Sequence, residues 1–144
     1  MSSSTCRTCS GDWPLKNLYI ADCGDTEAYL HEDQFFTGWT VLVLKRHATE
    51  LFHLTHEERA RLIEEVAFVA RHLVAEFNAV KMNYELLGNQ LPHIHWHLIP
   101  RLARDPSRLD PVWRIAHEPR SPSDEEREDL IGRLRRRLAG ITLQ

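Results

Sequence analysis

No apolar run in the 144-residue chain approaches the roughly 20 residues that a membrane-crossing helix requires, which excludes a helical span. A basic excess is also missing: 18 Lys and Arg stand against 21 Asp and Glu, for a net charge of −3. That balance removes the electrostatic case for a nucleic-acid polymer as partner. Cysteine is scarce, and its count of 3 is odd, which argues against a disulfide framework. The opening Met1-Ser2-Ser3-Ser4-Thr5-Cys6 contains no apolar signal-peptide core. The expectation is a cytoplasmic protein with reduced thiols and no membrane partner. No internal repeat or low-complexity tract is present.

What is there suits one globular domain over residues 1–144, with 42% hydrophobic and 27% charged residues. Residues 1–15 are polar and read as a knuckle, 16–101 as the core and 102–144 as a C-terminal extension. Short strands are expected near Leu18–Ala21 and Glu27–His31. The apolar, partly β-branched run Trp39–Leu44 reads as a buried central strand. Thr55 and Glu58 form a capping box for a helix reaching about Phe77, where Asn78 is the stop. Leu62, Val66, Val69, Leu73 and Phe77 make its apolar stripe, widened by Ile63, Ala67 and Ala70. Lys81–Leu87 reads as a further strand. Residues 104–111 read as a loop, followed by the short apolar insert Pro111–Ile115. Ser123 and Glu126 repeat the capping box for a second helix, with Leu130, Ile131, Leu134 and Leu138 on one face and Gly140 as stop. The outline is an α+β fold: a small antiparallel sheet, one long helix packed on it and a C-terminal helical extension.

The most informative segment is His93-Ile94-His95-Trp96-His97-Leu98-Ile99. A strand starting at Pro92 would put the three imidazoles on one face, about 6.6 Å apart at a rise of roughly 3.3 Å per residue. Such a row adds little stability and calls for a chemical use. Imidazole serves as nucleophile, proton carrier or metal ligand. Two uses remain open on these residues: a metal site on the strand, or a phosphate or acyl-transfer site. Gly88-Asn89-Gln90 lies just before the histidines, and its amides could cradle an anion. Neutral imidazole attacks phosphorus well and forms a phosphoramidate that water resolves. The isolated His53, His56, His72 and His117 read as surface or hydrogen-bonded residues.

Cys6 and Cys9 have metal-ligand spacing. A redox motif would follow a strand and open a helix, which this pair does not, so structural zinc is favoured. Two cysteines are half a tetrahedral site, and His47 with one of the three clustered histidines are the natural further ligands. Cys23 has no spaced partner and reads as a buried small residue.

His93 to Ile99 match the histidine triad superfamily pattern: His, apolar, His, apolar, His, apolar, apolar. Gly38 to His47 resembles the family's segment of glycine, strand, basic pair and histidine, and the likeness spans Glu27 to Arg101. The resemblance implies a nucleotide hydrolase or transferase that cleaves at an α-phosphate of dinucleoside polyphosphates or nucleoside phosphoramidates. It implies His95 as nucleophile, passing through a nucleotidyl-histidine, and His97 as a phosphate and leaving-group contact. It implies structural Zn2+ on Cys6, Cys9, His47 and His93, and a homodimer paired through the sheet edge and the long helix. Gly88, Asn89, Gln90, Asn83 and His31 fall at substrate-binding positions. The chain departs from the family in three places. Asn89 and Gln90 follow Gly88 where the family has Gln and a hydroxyl residue, His31 replaces a ribose-binding aspartate with Glu32 and Asp33 adjacent, and Leu44 replaces a proline. These departures motivate an alternative reading, a non-catalytic nucleotide-binding or scaffold protein on the same fold. Trp113 resembles a downstream tryptophan that lies near the active site in some members; packing of its loop is the other reading.

Overall fold

Five strands and two helices order the chain in the computed structural model, which describes residues 5–139. They run β1 (Tyr19–Asp22), β2 (Thr26–Leu30), β3 (Thr40–Leu44), α1 (His56–Phe77), β4 (Lys81–Glu85), β5 (His95–Arg101) and α2 (Asp124–Leu138). The sheet order is β1-β2-β3-β5-β4, and every neighbouring pair is antiparallel. The expected stop at Gly140 and the two chain ends lie outside the described residues. Among the described residues no helix is long and apolar enough to cross a membrane.

β3 sits in the middle of the sheet, and all five of its residues are buried, as its apolar composition dictates. α1 starts on the expected capping box: Thr55 Oγ1 accepts from the Glu58 amide at 3.1 Å and the Glu58 carboxylate accepts from the Thr55 amide at 2.8 Å. It ends where Asn78 takes the left-handed conformation, with φ 52°. Leu62, Val66, Val69, Ala70 and Leu73 are buried on it. Most of this stripe shares a core with Leu42 of β3 and Leu98 of β5. Ile63 and Ala67 do not widen the stripe and face outward, Ile63 being 51% exposed. The buried face instead includes Glu65, whose carboxylate caps the β1–β2 hairpin. It accepts from the Asp25 amide at 2.7 Å, the Thr26 amide at 2.9 Å and the Thr26 hydroxyl at 2.5 Å. Three donors compensate the burial of this one acidic group.

α2 adds Leu130, Ile131, Leu134 and Leu138 to the same core. Its cap is one-sided. Ser123 Oγ accepts from the Glu126 amide at 3.1 Å, but the Glu126 carboxylate pairs with Arg120 at 2.9 Å.

The histidine strand is shorter than expected. It begins at His95, because the Ile94 amide leaves the ladder to donate to Ala48 O in the loop after β3 at 2.8 Å, and only its carbonyl keeps a bond to β3, accepting from Leu44 N at 3.0 Å. The expected row of three imidazoles on one strand face is therefore a row of two. His97 lies opposite Val41, and His95 opposite Val43. Both rings face away from α1, because the alternate residue Leu98 packs beneath it. The helix-free face of the sheet is where the chemistry gathers.

Candidate functional site

His95 is buried, and its Nδ1–H donates to the carbonyl of His93 at 2.6 Å. A carbonyl only accepts, so the neutral ring carries its proton on Nδ1 and keeps a lone pair on Nε2. Burial lowers the His95 pKa, against the opposing effect of that hydrogen bond, so the ring is neutral near pH 7. His97 has the opposite tautomer. The indole Nε1–H of Trp39 donates to His97 Nδ1 at 3.1 Å, and indole is a donor only, which leaves the His97 proton on Nε2. Burial first, and then the neighbouring His31 and His95, push the His97 pKa down to about 3. The two ring centroids are 5.2 Å apart. Two neighbouring rings thus differ in what they offer at Nε2, one a lone pair and the other an N–H.

Both rings line a cavity of about 520 Å³ with Arg7, Trp13, Leu87, Gly88, Asn89, Gln90 and Leu91. Gly88 turns the chain here with φ 84°, in the region that favours glycine. Of the expected substrate contacts, the structure brings Gly88, Asn89 and Gln90 to the cavity with His95 and His97.

Asn83 and His31 lie elsewhere. Asn83 shares the histidine face, but its Oδ1 accepts from Arg101 at 3.0 Å. Arg101 is buried; it also donates to Asp110 O at 2.6 Å and stacks over Phe36 at 4.9 Å, so it anchors the loop after β5. His31 stacks on Trp39 at 3.9 Å and sits edge-on to His97 at 5.5 Å. It borders a separate hollow of about 110 Å³ with Trp13, Pro14, Tyr29 and Glu32. Asp33 is committed to structure: its carboxylate accepts from the Phe35 amide at 2.8 Å and the Arg120 amide at 2.9 Å, and meets His117 Nε2 at 2.7 Å. Trp113 is 74% exposed and does not line the cavity.

Below the cavity, Cys6, Cys9, His47 and His93 converge, with one ligand atom from each lying within 4.8 Å of all the others. The separations test the fit to a metal. Cys6 Sγ to His93 Nδ1 is 3.4 Å, Cys9 Sγ to His47 Nδ1 3.4 Å, Cys9 Sγ to His93 Nδ1 3.7 Å and His47 Nδ1 to His93 Nδ1 3.3 Å. A tetrahedron with bonds of about 2.3 Å to sulfur and about 2.0–2.1 Å to nitrogen has S–N and N–N edges of roughly 3.3–3.6 Å. His93 is further prepared: its Nε2–H donates to Leu44 O at 2.6 Å, which leaves the Nδ1 lone pair facing the cluster. The residues fit a tetrahedral S2N2 ion.

Trp39, Trp13 and Arg7 are contributors that sequence reasoning passed over. Trp39 shares the face of Val41 and His97 by two-residue alternation, a signal hidden because the whole run is apolar. Trp13 meets the His95 ring edge-on at 5.1 Å. Arg7 lies between the paired cysteines, a place read only as a spacer.

Comparison with known proteins agrees with this geometry. A HIT domain family model matches residues 16–104. The chain belongs to the HIT domain family. It is 26% identical to Protein hit of Bacillus subtilis over 139 residues, 93% of this chain and 92% of that one. A histidine triad protein from Bradyrhizobium japonicum superposes with a TM-score of 0.76 at 29% identity, over 88% of this chain and 98% of that chain. A Zn-bound histidine triad family protein from Mycobacterium smegmatis shares the fold, with a TM-score of 0.70 and 24% identity over 96% of each chain. HIT membership supports a nucleotide-binding or hydrolase-type function in general terms.

Proposed function

We propose that this HIT protein is a nucleotide hydrolase or transferase that cleaves at an α-phosphate through a nucleotidyl-histidine. One observation carries the reading: the His95 ring, with a lone pair on Nε2, stands 5.2 Å from the His97 ring, with its proton on Nε2, in a cavity also walled by Gly88, Asn89 and Gln90. His95 Nε2 attacks the α-phosphorus; an N–P bond forms as the bond to the leaving group breaks, and the leaving group takes the electron pair. His97 Nε2–H donates to a phosphate oxygen or to the departing atom, and the amides of the 88–90 turn hold the phosphate. Water then adds to phosphorus and breaks the N–P bond, restoring His95. Trp39 and His31 are positioning residues that fix the His97 ring, and Asn83 acts through Arg101.

Structural Zn2+ on Cys6, Cys9, His47 and His93 belongs to the same reading, supported by the tetrahedral edge lengths and by the Zn-bound relative. When bound, the ion cross-links the 5–13 segment to the start of the histidine strand. A cytoplasmic setting, with Cys6, Cys9 and Cys23 in no disulfide, accompanies it. So does a homodimer, for which the edge strand β4 with exposed Tyr84 and the exposed Ile63 of α1 supply the surface. Sedimentation of the purified protein at twice the monomer mass is the expected result.

The test is mass spectrometry of protein denatured shortly after mixing with an adenylylated substrate. An adenylyl adduct on the peptide carrying His95, absent from His95→Ala, is expected. Nucleotide binding without turnover or adduct would replace this reading by the non-catalytic one.

A further inference from the structure

Arg7 is the one Lys, Arg, Asp or Glu side chain lining the 520 Å³ cavity among the described residues; the other walls are aromatic, aliphatic, amide or imidazole. It is exposed and forms no ion pair among the described residues, which is also true of the arginines at 59, 71, 104, 108, 135 and 136; its place on the cavity wall sets it apart. Its backbone is held firmly. The Arg7 carbonyl accepts from the Asp12 amide at 2.8 Å and the Trp13 amide at 3.2 Å. Its chain neighbours on either side lead directly into Cys6 and Cys9 of the cluster. A fixed backbone carrying an unpaired guanidinium into a reaction cavity is an arrangement for an anion.

A nucleotidyl group transferred to His95 brings its own α-phosphate, and the 88–90 turn and His97 already provide for it. The extra positive charge on the knuckle side has a second anionic group to meet. We propose that Arg7 is a specificity-determining residue that selects substrates whose leaving group is itself a phosphate chain, as in a dinucleoside polyphosphate. Amine leaving groups, as in a phosphoramidate, are disfavoured. This rests on the α-phosphate reading above. As the N–P bond to His95 forms, the P–O bond to the next phosphate breaks and its electron pair leaves on that oxygen. Arg7 neutralises the charge gained there, whereas an amine leaving as a neutral molecule gains nothing from a guanidinium.

The test compares kcat/KM for diadenosine tetraphosphate and for an adenosine phosphoramidate of an uncharged amine, in wild type, Arg7→Ala and Arg7→Lys. Wild type prefers the tetraphosphate. Arg7→Ala lowers the ratio of the two kcat/KM values about ten- to hundredfold, from the loss of charge-assisted hydrogen bonds, and Arg7→Lys recovers part of it. Far-UV circular dichroism and metal content equal to wild type show that the knuckle is intact. An unchanged ratio overturns the proposal. Should wild type turn over neither substrate, the α-phosphate reading fails, and equilibrium titration with AMP and ATP decides Arg7 separately. A preference for ATP over AMP that Arg7→Ala abolishes supports the anion role, and equal preference in both proteins overturns it.

Discussion

The two histidines of the cavity differ in what holds them, and the difference is testable one residue at a time. His95 is oriented by a backbone carbonyl, which no substitution of a neighbour removes. His97 is oriented by a side chain, Trp39, through one hydrogen bond of 3.1 Å. Trp39→Phe keeps an aromatic face for His31 but removes the donor. We expect kcat to fall about three- to tenfold, the worth of a single net hydrogen bond, with thermal stability nearly kept. Steady-state kinetics and a melting curve check it, and a kcat equal to wild type would mean that the His97 tautomer does not matter. The shared strand face of His95 and His97 was legible in the sequence because two-residue alternation needs no tertiary information. The hydrogen-bond partner of His97 was not, since Trp39 comes from 58 positions away and depends on a strand register that no local pattern specifies. His31 shows the same limit: its position was right beside the site, but its neighbours assign it to Trp39 rather than to the cavity.

At the scale of elements, the strands and both helices could be read from capping boxes and apolar stripes. The start of β5 could not, because it depends on where Ile94 finds hydrogen-bond partners after β3 ends. Ile63 likewise matched the α1 stripe in periodicity, yet the sheet covers only part of that helix. Two connections carry predictions. The turn before β3 contains Gly38 at φ 90°, where an added Cβ would sit 2.5 Å from the Phe77 ring. Gly38→Ala combines a left-handed backbone with a clash, and should cost about 2–4 kcal/mol in denaturant unfolding. The segment before α2 is strapped down by Asp33, His117 and Arg120. Burial opposes charge on both members of the ion pair, but hydrogen bonds win. The Arg120 amide, His117 and the Phe35 amide hold the Asp33 carboxyl below its usual range, and Asp33 with the Ile115 carbonyl holds His117 above the usual imidazole range. The raised His117 pKa contributes stability below about pH 6.5 that is lost as pH rises through its folded value. The lowered Asp33 pKa contributes above about pH 4, and that is lost as pH falls. The strap should therefore hold best between about pH 4 and 6.5. Hydrogen exchange of residues 115–120 should show greatest protection there, and His117→Gln should flatten the alkaline side.

For the whole molecule, the ligand cluster joins the N-terminal segment to the core across 87 residues. Chelation or Cys6→Ser/Cys9→Ser should remove one equivalent of metal and lower the melting temperature by at least about 5 °C. It should also increase the protease sensitivity of residues 5–13. Retention of a full equivalent by the double variant would place the ion elsewhere. The cluster and the reaction cavity meet at the peptide of His93. Its imidazole faces the ligand atoms of Cys6, Cys9 and His47, while its carbonyl sets the proton on the ring of His95. On the proposed reading, the metal ligand His93 therefore also orients the neighbouring nucleophile, His95. A lineage discarding the cysteines would have to find another way to keep that carbonyl aimed, or surrender the tautomer that makes imidazole reactive.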